Sequence, residues 1–84
     1  MTRRAAKVDS TSKALTALAR QLGAQVLLIN GVIDAVVYFR GSTHVVDFKS
    51  PKGHLTPAQQ RLVIDGFPLK FVSNEAQLRE LLGV

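Results

Sequence analysis

With 84 residues and a mass of 9.1 kDa, the chain is long enough for one domain but not for two, and its 46% hydrophobic content excludes a disordered protein. It has no cysteine, which excludes a disulfide scaffold and a thiolate zinc site, and no apolar stretch approaches the roughly 20 residues that span a bilayer. We therefore expect a soluble, cytoplasmic protein. Eleven Lys and Arg against six Asp and Glu give a net charge of +5, which favours a polyanion partner such as nucleic acid, although the charge can also serve solubility alone.

The first half of the chain predicts a basic arm, one helix and three strands. Residues 1–9 are basic and poor in large apolar side chains, which is typical of a flexible arm. Ser10, Thr11 and Ser12 offer N-caps for a helix of about Lys13 to Leu22. An antiparallel meander is then predicted from three apolar runs, which cover residues 25–29, 32–39 and 43–49.

The second half predicts a helix, a strand and a last helix. Thr56, Pro57 and Gln59 form a helix start with a cap, a proline at the first helical position and a capping-box glutamine. This helix should end near Asp65–Gly66, before a short strand over residues 67–72 and a helix capped by Ser73 or Asn74. The order αβββαβα predicts one α/β domain over residues 10–84 with a mixed sheet.

Two acidic residues, Asp34 and Asp47, fall inside runs that otherwise predict buried strands. A carboxylate is costly there unless it is paired, hydrogen-bonded or bound to a metal. A two-residue turn at Gly41–Ser42 would place Asp34 opposite Lys49 and on the same sheet face as Asp47. Both carboxylates could then reach one ion.

These three residues have a functional and a structural interpretation. In the functional one, Asp34 and Asp47 hold a divalent ion at a phosphodiesterase centre, and Lys49 orients water or offsets charge on the phosphate. In the structural one, Asp34 and Lys49 form a salt bridge, and Asp47 pairs with a nearby backbone group or arginine. The pattern alone leaves both open.

A longer pattern surrounds the acids and resembles a known family. The VRR-NUC (virus-type replication-repair nuclease) domain of the PD-(D/E)XK superfamily is similar to the stretch from about Gly31 to Leu82. The residues that carry the resemblance are Gly31-Val32-Ile33-Asp34, Asp47-Phe48-Lys49, Pro51-x-Gly53-x-Leu55-Thr56-x-x-Gln59 and Gly66-x-Pro68. The resemblance implies a PD-(D/E)XK restriction-endonuclease-like fold and an Mg²⁺- or Mn²⁺-dependent endodeoxyribonuclease.

The resemblance also implies roles for individual residues. Asp34 and Asp47 would be metal ligands, Lys49 the catalytic lysine and Gln59 a catalytic-site glutamine, although Gln59 can equally be only a helix cap. Lys52, His54 and Arg61 flank this site and could bind DNA phosphates, or could be ordinary solvated surface residues.

Substrate and assembly follow from the same resemblance. Small phage-type members of the family are dimers that cut branched DNA such as four-way junctions, so we expect a homodimer with such a substrate, consistent with a phage protein acting in repair in the host cytoplasm. Two departures stand out: Asp47 replaces the glutamate of many relatives, and the family's first-helix glutamate has no counterpart nearer than Asp9. The alternative function is a catalytically silent nucleic-acid-binding or assembly module that keeps the nuclease fold.

Overall fold

The computed structural model describes residues 10–50 and 52–84, in which three helices accompany a mixed four-stranded sheet. The predicted order of elements is confirmed, and the predicted arm, residues 1–9, lies outside the described residues. None of the described helices is long and apolar enough to cross a membrane. The elements are α1 (Ser10–Gln21), β1 (Gln25–Leu28), β2 (Ala35–Phe39), β3 (Ser42–Phe48), α2 (Pro57–Ile64), β4 (Leu69–Val72) and α3 (Glu75–Leu82).

The four strands lie in the sheet in the order in which they follow one another along the chain. β1, β2 and β3 are antiparallel neighbours, as the predicted meander requires, whereas β4 is parallel to β3. A parallel neighbour needs a crossover connection, and α2 lies within it. The sheet is therefore mixed, and the fold is α/β.

The hairpin between β2 and β3 turns one residue earlier than predicted. Its loop is Arg40–Gly41, with φ of 49° and 87°, and Phe39 pairs with Ser42. Positive φ at both central residues is the type I′ geometry, whose twist matches that of the flanking strands. The predicted turn at Gly41–Ser42 is wrong, and so is the predicted pairing of Asp34 with Lys49.

The hydrophobic core lies on one face of the sheet, beneath α1 and α3. β2 and β3 send alternate side chains into it, including Val37 and Val46, both fully buried. Asp47, next to Val46 in β3, therefore points to the opposite face. The other core residues are Leu15, Ala19, Ala24, Ala35, Phe39, Phe48, Val72, Leu78 and Leu82.

The helix ends follow the predicted signals with one exception. Thr56 caps α2 with both capping-box hydrogen bonds present. The Asn74 side chain caps α3 by accepting a hydrogen bond from the Gln77 backbone N–H. Ser10 and Ser12, predicted as caps, instead lie in the first turn of α1. Ser12 therefore projects from a helix, and this brings it to the site described next.

Candidate active site

Asp34 and Asp47 meet at one end of the central hairpin. Asp47 is in β3 and only 4% exposed, whereas Asp34 lies just before β2 and is partly buried. The observed pairing of Ala35 with Val46 continues by one step to place Asp34 directly opposite Asp47. Asp34 Oδ2 accepts a hydrogen bond of 2.9 Å from the Phe48 backbone N–H.

This arrangement raises the pKa of Asp34 above its ordinary value of 3.8. The largest cause is burial, which disfavours the charged form, and the negative charge and hydrogen bond of Asp47 act in the same direction. The Phe48 amide and the Lys49 ammonium lower the pKa but do not outweigh these effects. A cation bound between the two carboxylates would compensate their like charge.

Lys49 completes the group from the same strand face as Asp47. Its Nζ lies 3.1 Å from Asp47 Oδ2, and both side chains are largely buried. Its backbone N–H donates to the Val72 carbonyl at 3.0 Å, which ties the end of β3 to β4. The structure thus brings Asp34, Asp47 and Lys49 together, with the lysine bridged to Asp47.

Gln59 is held in place by the backbone around it. It is 3% exposed; its Oε1 accepts from the Thr56 N–H at 3.2 Å, and its Nε2 donates to the Val32 carbonyl at 2.7 Å. The second bond joins α2 to the loop just before Asp34. Gln59 therefore completes the capping box of Thr56 and also holds the loop before Asp34 in place. Sequence reasoning missed the second contact, because its partner is a backbone carbonyl and no side-chain pattern marks it.

These residues line an open cleft of about 520 Å³, hereafter the acid cleft. Ser12 of α1 and Thr56 at the start of α2 lie on its walls, so the N-terminal ends of two helices border the acid pair. Such ends carry partial positive charge and favour anions. No group of three or more acidic, histidine or cysteine residues that could hold a metal occurs within residues 10–50 and 52–84. α1 contributes Ser12 to the wall of the acid cleft. Sequence reasoning predicted only a helix-capping role for this residue.

The three predicted DNA-binding residues lie at different places. His54 is exposed and lines a smaller cleft of about 320 Å³ that also contains Lys49. Lys52 is exposed and lines none of these clefts. The Arg61 side chain is 77% exposed, and its Nε lies 3.6 Å from Oδ2 of Asp65, the residue that caps the C-terminal end of α2. Only His54 borders the group of catalytic candidates.

The chain matches no family model, no curated protein and no solved structure. The resemblance to the VRR-NUC domain therefore stays a prediction from the sequence motifs. What the site can do chemically follows from its own geometry: two oxygen donors for a hard cation, one ammonium group and a bordering surface suited to anions.

Proposed function

We propose that the protein is a metal-dependent DNA endonuclease of the PD-(D/E)XK type that hydrolyses phosphodiester bonds. The observation that carries the proposal is the convergence of Asp34, Asp47 and Lys49 on one cleft, from the two sides of the open end of one hairpin. The order αβββαβα and the parallel pairing of β4 with β3 support it, because this order is the one that the resemblance implies.

The donor set suits a divalent ion such as Mg²⁺ or Mn²⁺. Asp34 and Asp47 supply carboxylate oxygens, and the pKa of Asp34 is raised first by burial and then by the like charge of Asp47, both of which a bound cation would offset. Two carboxylates are also the number with which Mg²⁺ is often held while it keeps several waters. The chemistry such an ion supplies when bound is polarisation of the phosphate and a lower pKa for water.

The remaining residues act on the phosphate or on the acids. Lys49 lies where its ammonium can offset negative charge that develops on the phosphate, and its bridge to Asp47 positions that ammonium in the resting protein. The Phe48 N–H fixes one oxygen of Asp34. Gln59 is a positioning residue here, because it braces the Val32 carbonyl in the loop that leads into Asp34.

Branched DNA is the substrate that a homodimer would suit. A four-way junction must be cut at two related positions, and one chain of this size offers one acid cleft, so a two-fold dimer is the simplest way to supply two. Exposed apolar side chains support such an assembly. Light scattering at micromolar concentration should give the mass of two chains, and a mass of one chain would exclude the junction-resolving form of the proposal. The large apolar residues exposed in the monomer are Leu27, Leu28, Ile29, Val32, Tyr38, Val63, Ile64, Phe67 and Val84.

A silent nucleic-acid-binding module is the second candidate, and one observation favours it. α1 places Ser12, and not a carboxylate, on the wall of the acid cleft, so the described residues offer an ion only two acids. Such a module would bind DNA without cutting it.

Cleavage of a panel of labelled DNA structures separates the two candidates. Purified protein should cut at least one member in Mg²⁺ or Mn²⁺ and none in EDTA. Asp47→Asn should abolish cutting while DNA binding stays intact or tightens, since a negative charge near the phosphate is lost. The matched control is Asp65→Asn, which makes the same change on a carboxylate that is 61% exposed. Binding without cutting under all conditions would favour the silent module.

A further inference from the structure

A second cleft adjoins the acid cleft, on the side where α1 faces the end of β1. It has a volume of about 540 Å³ and is hereafter the helix cleft. Ser12 and Asp34 line both clefts, so the two are adjacent. Away from this shared border the helix cleft is lined by four polar or basic residues and three apolar ones, which are Lys13, Thr16, Arg20 and Asn30, and Ala17, Leu28 and Ile29.

The two cations of the helix cleft come from one helix. Lys13 and Arg20 lie about two turns apart on α1, a spacing that puts them on the same side. Neither forms an ion pair with a carboxylate of residues 10–50 or 52–84. The Arg20 guanidinium donates to the Val26 carbonyl at 3.1 Å, which orients the group and leaves further N–H donors for a ligand.

The charge of the neighbouring acid cleft explains why cations are needed here. Asp34 and Asp47 outnumber Lys49 there, so a polyanion that approaches without an ion meets net negative charge. Lysine, arginine, serine and asparagine are among the side chains that contact DNA phosphates. All four types line the helix cleft, and its one carboxylate, Asp34, lies at the border with the acid cleft.

We propose that the helix cleft binds a backbone phosphate of the same DNA strand, next along from the phosphate at the acid pair. The inference rests on the proposed function and deepens it, because it assigns strand binding to Lys13 and Arg20. The phosphate lies at the end of the helix cleft distant from Asp34. DNA would then run from the acid cleft along α1.

Binding to oligonucleotides with single neutral phosphates tests this assignment. A labelled DNA is prepared as a series in which one methylphosphonate replaces one phosphate at successive positions, and affinity is measured by fluorescence anisotropy in Ca²⁺. Lys13→Gln is compared with the wild type. Lys70→Gln is the matched control, since Lys70 is exposed on β4, at the opposite edge of the sheet from β1. Circular dichroism melting checks that both variants are folded.

The expected result is a position-specific coupling. One methylphosphonate should weaken binding of the wild type and of Lys70→Gln but leave Lys13→Gln unaffected. The salt dependence of Lys13→Gln should also fall by about one unit of slope, equivalent to roughly a fourfold smaller loss of affinity between 50 and 200 mM salt. Equal effects of the two lysine variants, with sensitivity to the methylphosphonate retained, would overturn the assignment and leave the nuclease proposal standing. Failure of the wild type to bind any DNA would overturn both.

Discussion

Replacing Asp34 by asparagine should stabilise the metal-free protein at neutral pH. The substitution removes a negative charge that touches Asp47, and the asparagine oxygen can still accept the hydrogen bond from the Phe48 N–H. Two like charges at about 4 Å repel by about 4 kcal/mol at an effective dielectric constant of about 20. Solvent around the partly exposed Asp34 and the nearby Lys49 ammonium reduce this strongly, so we expect a gain of about 1 kcal/mol. For a domain of this size that corresponds to a rise of about 4–8 °C in Tm.

The gain should depend on pH in a defined direction. The pKa of Asp34 is raised in the folded state, so the folded wild type loses stability relative to the variant as pH rises from the ordinary value of 3.8 through the raised value. Above that window the difference is constant, and below it the carboxyl is protonated in both states and the difference disappears. Scanning calorimetry in EDTA at neutral pH and at about pH 3 measures both limits. Asp65→Asn serves as the control. A lower Tm for Asp34→Asn at neutral pH would refute the reasoning, because it would mean that the charge of Asp34 stabilises the fold.

Three further substitutions test other parts of the site. Gln59→Leu should lower the unfolding free energy by about 2 kcal/mol in urea titrations, because the Val32 carbonyl and the Thr56 N–H lose their partners, and an unchanged midpoint would mean that α2 is held otherwise. Thr16→Val should raise stability by about 1 kcal/mol in thermal melts, because the buried Thr16 hydroxyl has no hydrogen-bond partner among the described residues, and a loss of stability would show that it has one. Lys49→Met should cost about 2–3 kcal/mol at neutral pH and abolish cleavage while DNA is still bound, since the carboxylate bridged to Lys49 is left buried without a cation. Retained cleavage by this variant would remove the lysine from the mechanism.

Local signals predicted the elements well because each acts over a few residues. The cap formed by Thr56, Pro57 and Gln59 needs only the geometry of one helical turn, and the structure has both capping-box bonds. The hairpin turn was harder, since it requires a positive φ at Arg40, which an arginine rarely adopts. Sterics alone favoured a glycine-first turn, but the structure has Arg40–Gly41 at the turn.

The predicted placement of the acids on one face of the sheet is correct although the predicted turn is wrong, and the reason is geometric. Moving a two-residue turn by one position shifts the pairing by two residues, and side chains alternate with a period of two. Asp34, Asp47 and Lys49 therefore stay on one face with either turn, although the residue opposite Asp34 changes from Lys49 to Asp47. The placement could be predicted, whereas the contacts could not.

The walls of the site depend on tertiary packing and were not predictable. Ser12 reaches the acid cleft and Lys13 the helix cleft only because α1 packs against β1 and β3 with its first turn at the end of the sheet. Arg61, in contrast, was predicted to flank the site but does not line the acid cleft. It is near Gln59 in sequence, but its side chain points to solvent beside Asp65.

The central claim, that Asp34 and Asp47 bind a divalent cation for DNA cleavage, is tested most directly by calorimetric titration of Mn²⁺ into the wild type and Asp47→Asn. The account predicts one site per chain in the wild type and none in the variant, with Asp65→Asn binding as the wild type does. Absence of binding in the wild type at millimolar Mn²⁺, or equal binding by Asp47→Asn, would contradict it.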